Sequence, residues 1–462
     1  MNMPPAASAE SPVSRFDRES RLIQPALLKP LARLALPTVA VMFMITALNI
    51  TETYFVSSLG TEAVAAASLV VPVALLVTMV SNGGIGGGVS SAIARARGRG
   101  DQAAAESLLW HAILLGVAFG ALTTGLAWSL GPRLYRALGG AGAVLSGAII
   151  YSNILFGAAV ASWTLVLVQA ALRGAGNVKA PALTIAGSVC IGLAISPALI
   201  AGAFGWPGLG VAGAGVAQAV TSVGGLFVLL VYLRRPGATL RLAPHPLSRA
   251  KFAEILAIGL PSSLNALMSA LALTAATAAA GAYGESAIAG YGVAARLDTL
   301  LVPILFGFGA AAVTLVGMSI GAGDVRRARA VALTNAVFVA APLGAFGLLI
   351  ALWPTLWLSI FTRDPNVIAA GSDYLSIVAP TYALNAIAME LYFAGQGARR
   401  IFWPMIATFS RVALALAAVA LVRLQIVGLS ASYGVIAAGV ALGALITIAG
   451  FLRDPWPNAS SR

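Results

Sequence analysis

The sequence predicts an all-α integral membrane protein: twelve transmembrane helices in two six-helix bundles, related by a pseudo-two-fold axis along the membrane normal. Three observations predict it. The 462 residues are 59% hydrophobic and only 9% charged, with a mean hydropathy of +0.92, where soluble domains carry roughly 25% charged residues. Apolar runs of about 20 residues, enough to cross a bilayer, recur along the chain. Landmarks of the first half return in the second at a nearly constant offset. A soluble fold of this length needs a polar surface that this composition cannot supply. Soluble enzymes, disordered chains and nucleic-acid-binding domains are therefore excluded.

Taken in order, residues 1–33 are expected to form a polar cytoplasmic tail. Met1 to about Lys29 lacks the basic start, short apolar core and cleavage site of a secretory signal. The N-terminal bundle, 34–233, holds spans near 34–57, 64–93, 104–130, 143–171, 179–203 and 209–233. A polar cytoplasmic linker, 234–251, leads to the C-terminal bundle, 252–453. Its spans lie near 252–282, 286–318, 328–357, 366–394, 401–422 and 427–452, and residues 454–462 form a second cytoplasmic tail.

The cations test this count. With the amino terminus in the cytoplasm, 22 of the 28 Lys and Arg fall in the tails and alternate loops on that side. Only Arg133, Arg136, Arg363 and Arg423 fall opposite, and Arg296 and Arg411 lie inside spans. That bias obeys the positive-inside rule and places both termini in the cytoplasm, in a plasma (inner) membrane protein. The net charge of +13 is thus topology, and nucleic acid drops out as a partner.

The repeat supplies the two halves. Leu34-Ala-Leu-Pro37 returns as Ile258-Gly-Leu-Pro261, and Leu59-Gly60 to Ala65 returns as Tyr283-Gly284 to Ala289, both at an offset of 224. Gly100-Asp101 matches Gly323-Asp324 at 223, and Gly174-Ala-Gly176 matches Gly395-Gln-Gly397 at 221. Six spans per half make the halves parallel, the arrangement of alternating-access transporters. The chain has 50 Gly, which let backbones approach, and Pro37 and Pro261 are candidate hinges.

A carboxylate inside a span costs about 2.5–3.5 kcal/mol on insertion scales. Glu52, about six residues before the outward loop, and Asn49 one turn earlier are candidates for coupling a cation, with no Lys or Arg expected in the first-half spans. Asp298 is the third coupling candidate; Arg296, two residues away, points to another helix face. Glu390, which Arg411 can reach, and Asn385 are candidate cavity groups, with Asn265, Tyr54, Tyr382, Trp163 and Met389 as further lining residues. Glu106 is expected to meet the Arg95–Arg99 loop, and His111 is a possible titrating group. The only cysteine is Cys190 and the only histidines are His111 and His245, so no disulfide, thiol cluster or His-Glu-x-x-His site is expected and the chain is not read as an enzyme. No metal and no cofactor are expected beyond a coupling ion.

The stretch Leu48-Asn49-Ile-Thr-Glu52 to Gly60-Thr-Glu-Ala63 resembles span 1 of the multidrug and toxic compound extrusion (MATE) family. Gly208-Leu-Gly210-Val-Ala-Gly213 and Leu315-Val-Gly317 with Gly321-Ala-Gly323-Asp324 resemble it too, and Arg296-Leu-Asp298-Thr-Leu looks like a segment of its DinF-like branch. The resemblance implies a secondary exporter of amphipathic, often cationic, small molecules, working as an antiporter driven by protons or sodium. Membrane lipid is the other partner expected, and the chain is expected to act as a monomer. Departures are clear. Glu52 stands where the family has Asp, Gly192 and Ser196 replace an Asn/Asp pair, Asn385 replaces an acid in span 10, and no acid is assigned to span 7. The alternative is a lipid-linked glycan or lipid flippase of the related superfamily.

Overall fold

The computed structural model describes residues 23–203, 206–453 and 456. Among them, eleven helices are long and apolar enough to cross a membrane, and one bent pair makes a twelfth. The first half comprises α1 (Pro25–Ser57), α2 (Thr61–Gly98), α3 (Gln102–Ala137), α4, α5 (Lys179–Ala201) and α6 (Val211–Leu233). Helix α4 is the bent pair, Gly142–Gly157 and Ala159–Gly174, with a bend of 46°. The second half comprises α7 (Arg249–Gly281), α8 (Glu285–Gly321), α9 (Val325–Leu352), α10 (Pro365–Ala398), α11 (Phe402–Arg423) and α12 (Leu429–Arg453).

Several boundaries differ from expectation, for physical reasons. Helix α1 starts at Pro25, inside the stretch expected as tail, because Leu27 and Leu31 bury against the second half. The rest of that tail, residues 1–22, lies outside the described residues, as does the C-terminal tail apart from Trp456. Helix α2 runs on to Gly98, and Asp101 then caps α3 by accepting from the amide of Ala104 at 2.9 Å. Asp324 caps α9 in the same way, at 2.8 Å to Arg327, as the repeat requires.

The linker is tied down on the first half. Leu240 is buried, and the Ser248 amide donates to His111 Nε2 at 2.9 Å while His111 Nδ1 lies 2.7 Å from the Ser107 carbonyl. His111 therefore clamps the linker. Glu106 meets the basic loop only through Gln102, which takes Arg97 on one side and reaches Glu106 at 2.7 Å on the other.

The packing interlocks the halves. Leu31 and Ala35 of α1 belong to the core built by α8, α9, α10 and α12, whereas Ile255 of α7 belongs to the core of α2, α3 and α4. Leu31 and Ile255 are equivalent at the 224-residue offset. Further along, α1 returns to its own bundle: Leu48 packs on Gly192 of α5. Likewise Asn265 of α7 accepts a hydrogen bond from Thr408 of α11 at 2.5 Å. Pro37 and Pro261 sit inside α1 and α7, between these two kinds of packing.

Candidate functional site

The basic-loop ends of the two bundles meet along a seam that glycine makes possible. A Cβ on Gly88 of α2 would come within 2.8 Å of the Gly259 backbone in α7. Gly98 presses on the Met318 backbone and Gly321 on the Arg95 backbone; Gly174 lies against Ser90 and Gly397 against Val313. The last four contacts form two pairs at a 223-residue offset, Gly98 with Gly321 and Gly174 with Gly397, so the structure matches Gly174 to Gly397 and not to Gly395 as the sequence landmarks suggested. Two hydrogen bonds between the bundles follow the same rule. Ser91 Oγ of α2 donates to the Gln396 carbonyl of α10 at 2.5 Å, and Thr314 Oγ1 of α8 donates to the Arg173 carbonyl of α4 at 3.0 Å. Arg95, 4% exposed, extends the seam by donating to Ser91 at 2.5 Å and pairing with Glu254 of α7 at 3.3 Å.

Beside the seam lies a small pocket lined by α2, α4, α8 and α10. Its α2 wall is a π-helical stretch, Val80–Ile85, in which the wider turn carries Asn82; such bulges recur at functional sites. Arg173, 5% exposed, donates to Asn82 Oδ1 at 3.0 Å and lies 5.9 Å from the centre of the Phe306 ring.

The carboxylates occupy other places. Glu52 Oε1 accepts from Ser196 of α5 at 2.8 Å, and among the described residues it forms no ion pair. Ser196 fills the position where the resemblance expected an acid, and Gly192, one turn away, leaves room for Leu48. Asp298 of α8 accepts from Tyr374 at 2.7 Å and from Tyr382, both on α10, within a cluster that includes Tyr291 and Tyr433. Glu390, fully buried in α10, takes Asn335 Nδ2 of α9 at 2.5 Å, leaving its Oε1 and the Asn335 Oδ1 without partners.

Other candidate residues are also redistributed. Asn49 is exposed and does not join Glu52. Arg411 donates to Asn385 at 3.3 Å instead of reaching Glu390, and Arg296 stacks over Phe361 at 5.3 Å instead of meeting Asp298. Tyr382 is spent on Asp298, Trp163 is buried and stacked on Phe119 at 5.2 Å, and Asn265 is buried against Thr408. Tyr54 is 69% exposed, and Met389 packs beside Phe393. The pocket lining contains none of these sequence candidates.

Arg173, Arg95, Glu254, Asn82, Asn335 and Gln396 were not singled out by the sequence. The expectation of no cation in the first-half spans fails because α2 and α4 run on to Gly98 and Gly174, past Arg95 and Arg173. The expectation of no acid in span 7 is corrected by Glu254, which lies within 252–282 itself. The signal available was the helical spacing of Arg95 to Ser91 and of Arg173 to Gln169, which keeps both arginines on apolar helices.

Known proteins resemble this chain over most of its length. The MatE family model matches twice, at residues 37–198 and 261–422, stretches displaced by the same offset as Pro37 and Pro261. The FAD transporter of Shewanella oneidensis is 27% identical over 377 residues, 79% of this chain and 81% of that one. The probable multidrug resistance protein NorM of Thermotoga maritima is 26% identical over 448 residues, 94% of each. The solved structure of MATE in complex with MaD3S superposes with a TM-score of 0.82 at 25% identity, covering 92% of this chain and 94% of that one. A MOP superfamily transporter from Pyrococcus furiosus shares the fold at 24% identity, with a TM-score of 0.82 over 92% and 94% of the two chains.

Proposed function

This chain belongs to the MatE family, and from that premise we propose that it is a secondary multidrug efflux transporter that exchanges amphipathic compounds, cationic ones among them, for protons. The relatives named for multidrug resistance support the substrate class. The comparisons do not favour the flippase alternative. The cation bias of the sequence supports an orientation with both termini on the cytoplasmic side of the inner membrane.

The observation that carries the coupling is the double allegiance of α1. Its first turns are packed in the second bundle through Leu31 and Ala35, and its outer half is held to α5 through Glu52 and Ser196. A proton arriving on Glu52 removes a charge at the α1–α5 contact, and α1 transmits the change past Pro37 to the other bundle. For exchange to be coupled, the proton must favour one conformation over the other, and a group on a helix packed in both bundles meets that condition. Sodium at the same carboxylate is the alternative coupling ion. No enzymatic step and no cofactor enter this cycle.

The test is dye efflux in proteoliposomes under an imposed pH gradient and, separately, a sodium gradient. Wild type is expected to respond to the pH gradient, and Glu52→Gln to lose that response while still binding ethidium. Wild-type coupling in Glu52→Gln would rule out Glu52 as the coupling site, and a response to sodium alone would rule out the proton.

A further inference from the structure

We propose that the pocket beside the seam is a subsite for an oxyanion, so that the transporter also takes amphipathic organic anions whose phosphate, carboxylate or sulfonate group seats on Arg173; the transport of such anions rests on the function proposed above, but their binding does not.

Arg173 stands in the last turn of α4, at its basic-loop end, yet its side chain is buried, 5% exposed. A buried charge is costly and is normally paired. Among the described residues it has no ion pair with a carboxylate. Glu254 is engaged with Arg95, Glu52 with Ser196, Asp298 with two tyrosines and Glu390 with Asn335. The guanidinium carries five N–H donors in a planar fork, and Asn82 takes one bond from Nη2. The remaining donors suit the paired oxygens of an oxyanion, which Arg binds bidentately.

The repeat shows that packing does not require this charge. Arg173 and Gln396 are equivalent at the 223-residue offset, and both line the pocket. A neutral amide therefore fills the same place in the second half, with the matching cross-bundle bond from Ser91 to its carbonyl. Gln396 contributes a second feature. Its Nε2 is committed to Gly83, Ser262 and Tyr392, while its Oε1 is buried without a partner, facing Gly87, where a Cβ would lie 2.7 Å away. That oxygen accepts a hydrogen bond from a hydroxyl or N–H next to the anionic group. Phe306 and Phe393, 6.0 Å apart, supply the apolar wall. The space is small, suited to a compact anionic group rather than to a whole drug.

The experiment compares flavin mononucleotide with riboflavin, two probes that differ by one phosphate, on the full chain in neutral detergent, read by flavin fluorescence anisotropy. Wild type is expected to bind the phosphorylated probe about tenfold or more tightly than riboflavin, the effect of one charge-assisted contact. Arg173→Gln, which copies the residue of the second half, is expected to abolish the preference and leave riboflavin binding and the elution profile unchanged; Arg173→Lys should keep part of it. Equal binding of the two probes by wild type, or an undiminished preference in Arg173→Gln, overturns the proposal. Competition with short-chain phosphatidylglycerol, against phosphatidylcholine as control, separates the sources of the anion: displacement by phosphatidylglycerol alone supports a lipid head group, and no displacement supports a soluble solute. Ethidium efflux on the same preparations tests the transport reading separately, since its absence beside an intact probe preference would remove transport and leave the subsite.

Discussion

Gly88→Val is expected to open the basic-loop seam. A Cβ at this position would stand 2.8 Å from the Gly259 amide nitrogen and 3.0 Å from its Cα, and closer still to the Ile255 carbonyl. All three are backbone atoms, so no side chain can swing aside. Restoring an ordinary contact of 3.4 Å to the nearest of them requires α7 to retreat from α2 by about 1 Å. Overpacking of this kind costs about 1–3 kcal/mol, which shifts the balance between closed and open seam by about 5- to 150-fold. The readout is a Ser90→Cys reporter, a residue 6% exposed at the seam, in a chain whose single cysteine, Cys190, has been replaced by Ser. A membrane-impermeant maleimide applied from the basic-loop side is expected to label the Gly88→Val chain several-fold to a hundredfold faster. Gly125→Val, where the added Cβ meets nothing within 4 Å, should leave the rate unchanged. A rate within twofold of the parent chain for Gly88→Val would refute the idea that this backbone packing holds the seam shut.

Two further outcomes follow from the packing. Asn335→Ala removes the one described hydrogen bond to the fully buried Glu390 and is expected to destabilise the chain by about 2 kcal/mol or more, seen as a lower Tm in detergent; Glu390→Gln, which keeps the shape and can pair with the Asn335 amide, should lower Tm less, and the reverse order would refute the pairing. His111→Ala releases the Ser248 amide from its acceptor, so trypsin should cut the linker at Arg241 or Arg249 several-fold faster with little change in Tm; an unchanged cleavage rate would show that His111 does not hold the linker.

Much of this architecture was readable from the chain because membrane helices advertise themselves by length and by the side on which their cations fall. The offset of Pro37 to Pro261 anticipated the equivalence of Leu31 with Ile255, and that of Gly100-Asp101 to Gly323-Asp324 the equivalence of the two seam hydrogen bonds. The partners of each helix were not readable, since in lipid a packed face is as apolar as an exposed one and association rests on small residues and shape. Arg95 and Arg173 were missed for a related reason. A charge was taken to end a span, but glycine lets the neighbouring backbone come close enough to bury it, as Gly321 does at Arg95. Glu390 was visible as an intramembrane acid; its partner was not, because Asn335 lies 55 residues away on another helix, and nothing in the sequence says that α9 and α10 face each other there.

Each half of the chain lends its opening helix to the interior of the other: Leu31 and Ala35 go one way and Ile255 goes the other. Neither half thus has a finished core on its own, and the covalent join at the linker is not what keeps them together. Two polypeptides ending and beginning between Arg234 and Ser248 should find each other in the membrane and reconstitute a working protein when made in the same cell, whereas either fragment made alone would leave a vacancy the width of a helix and be degraded.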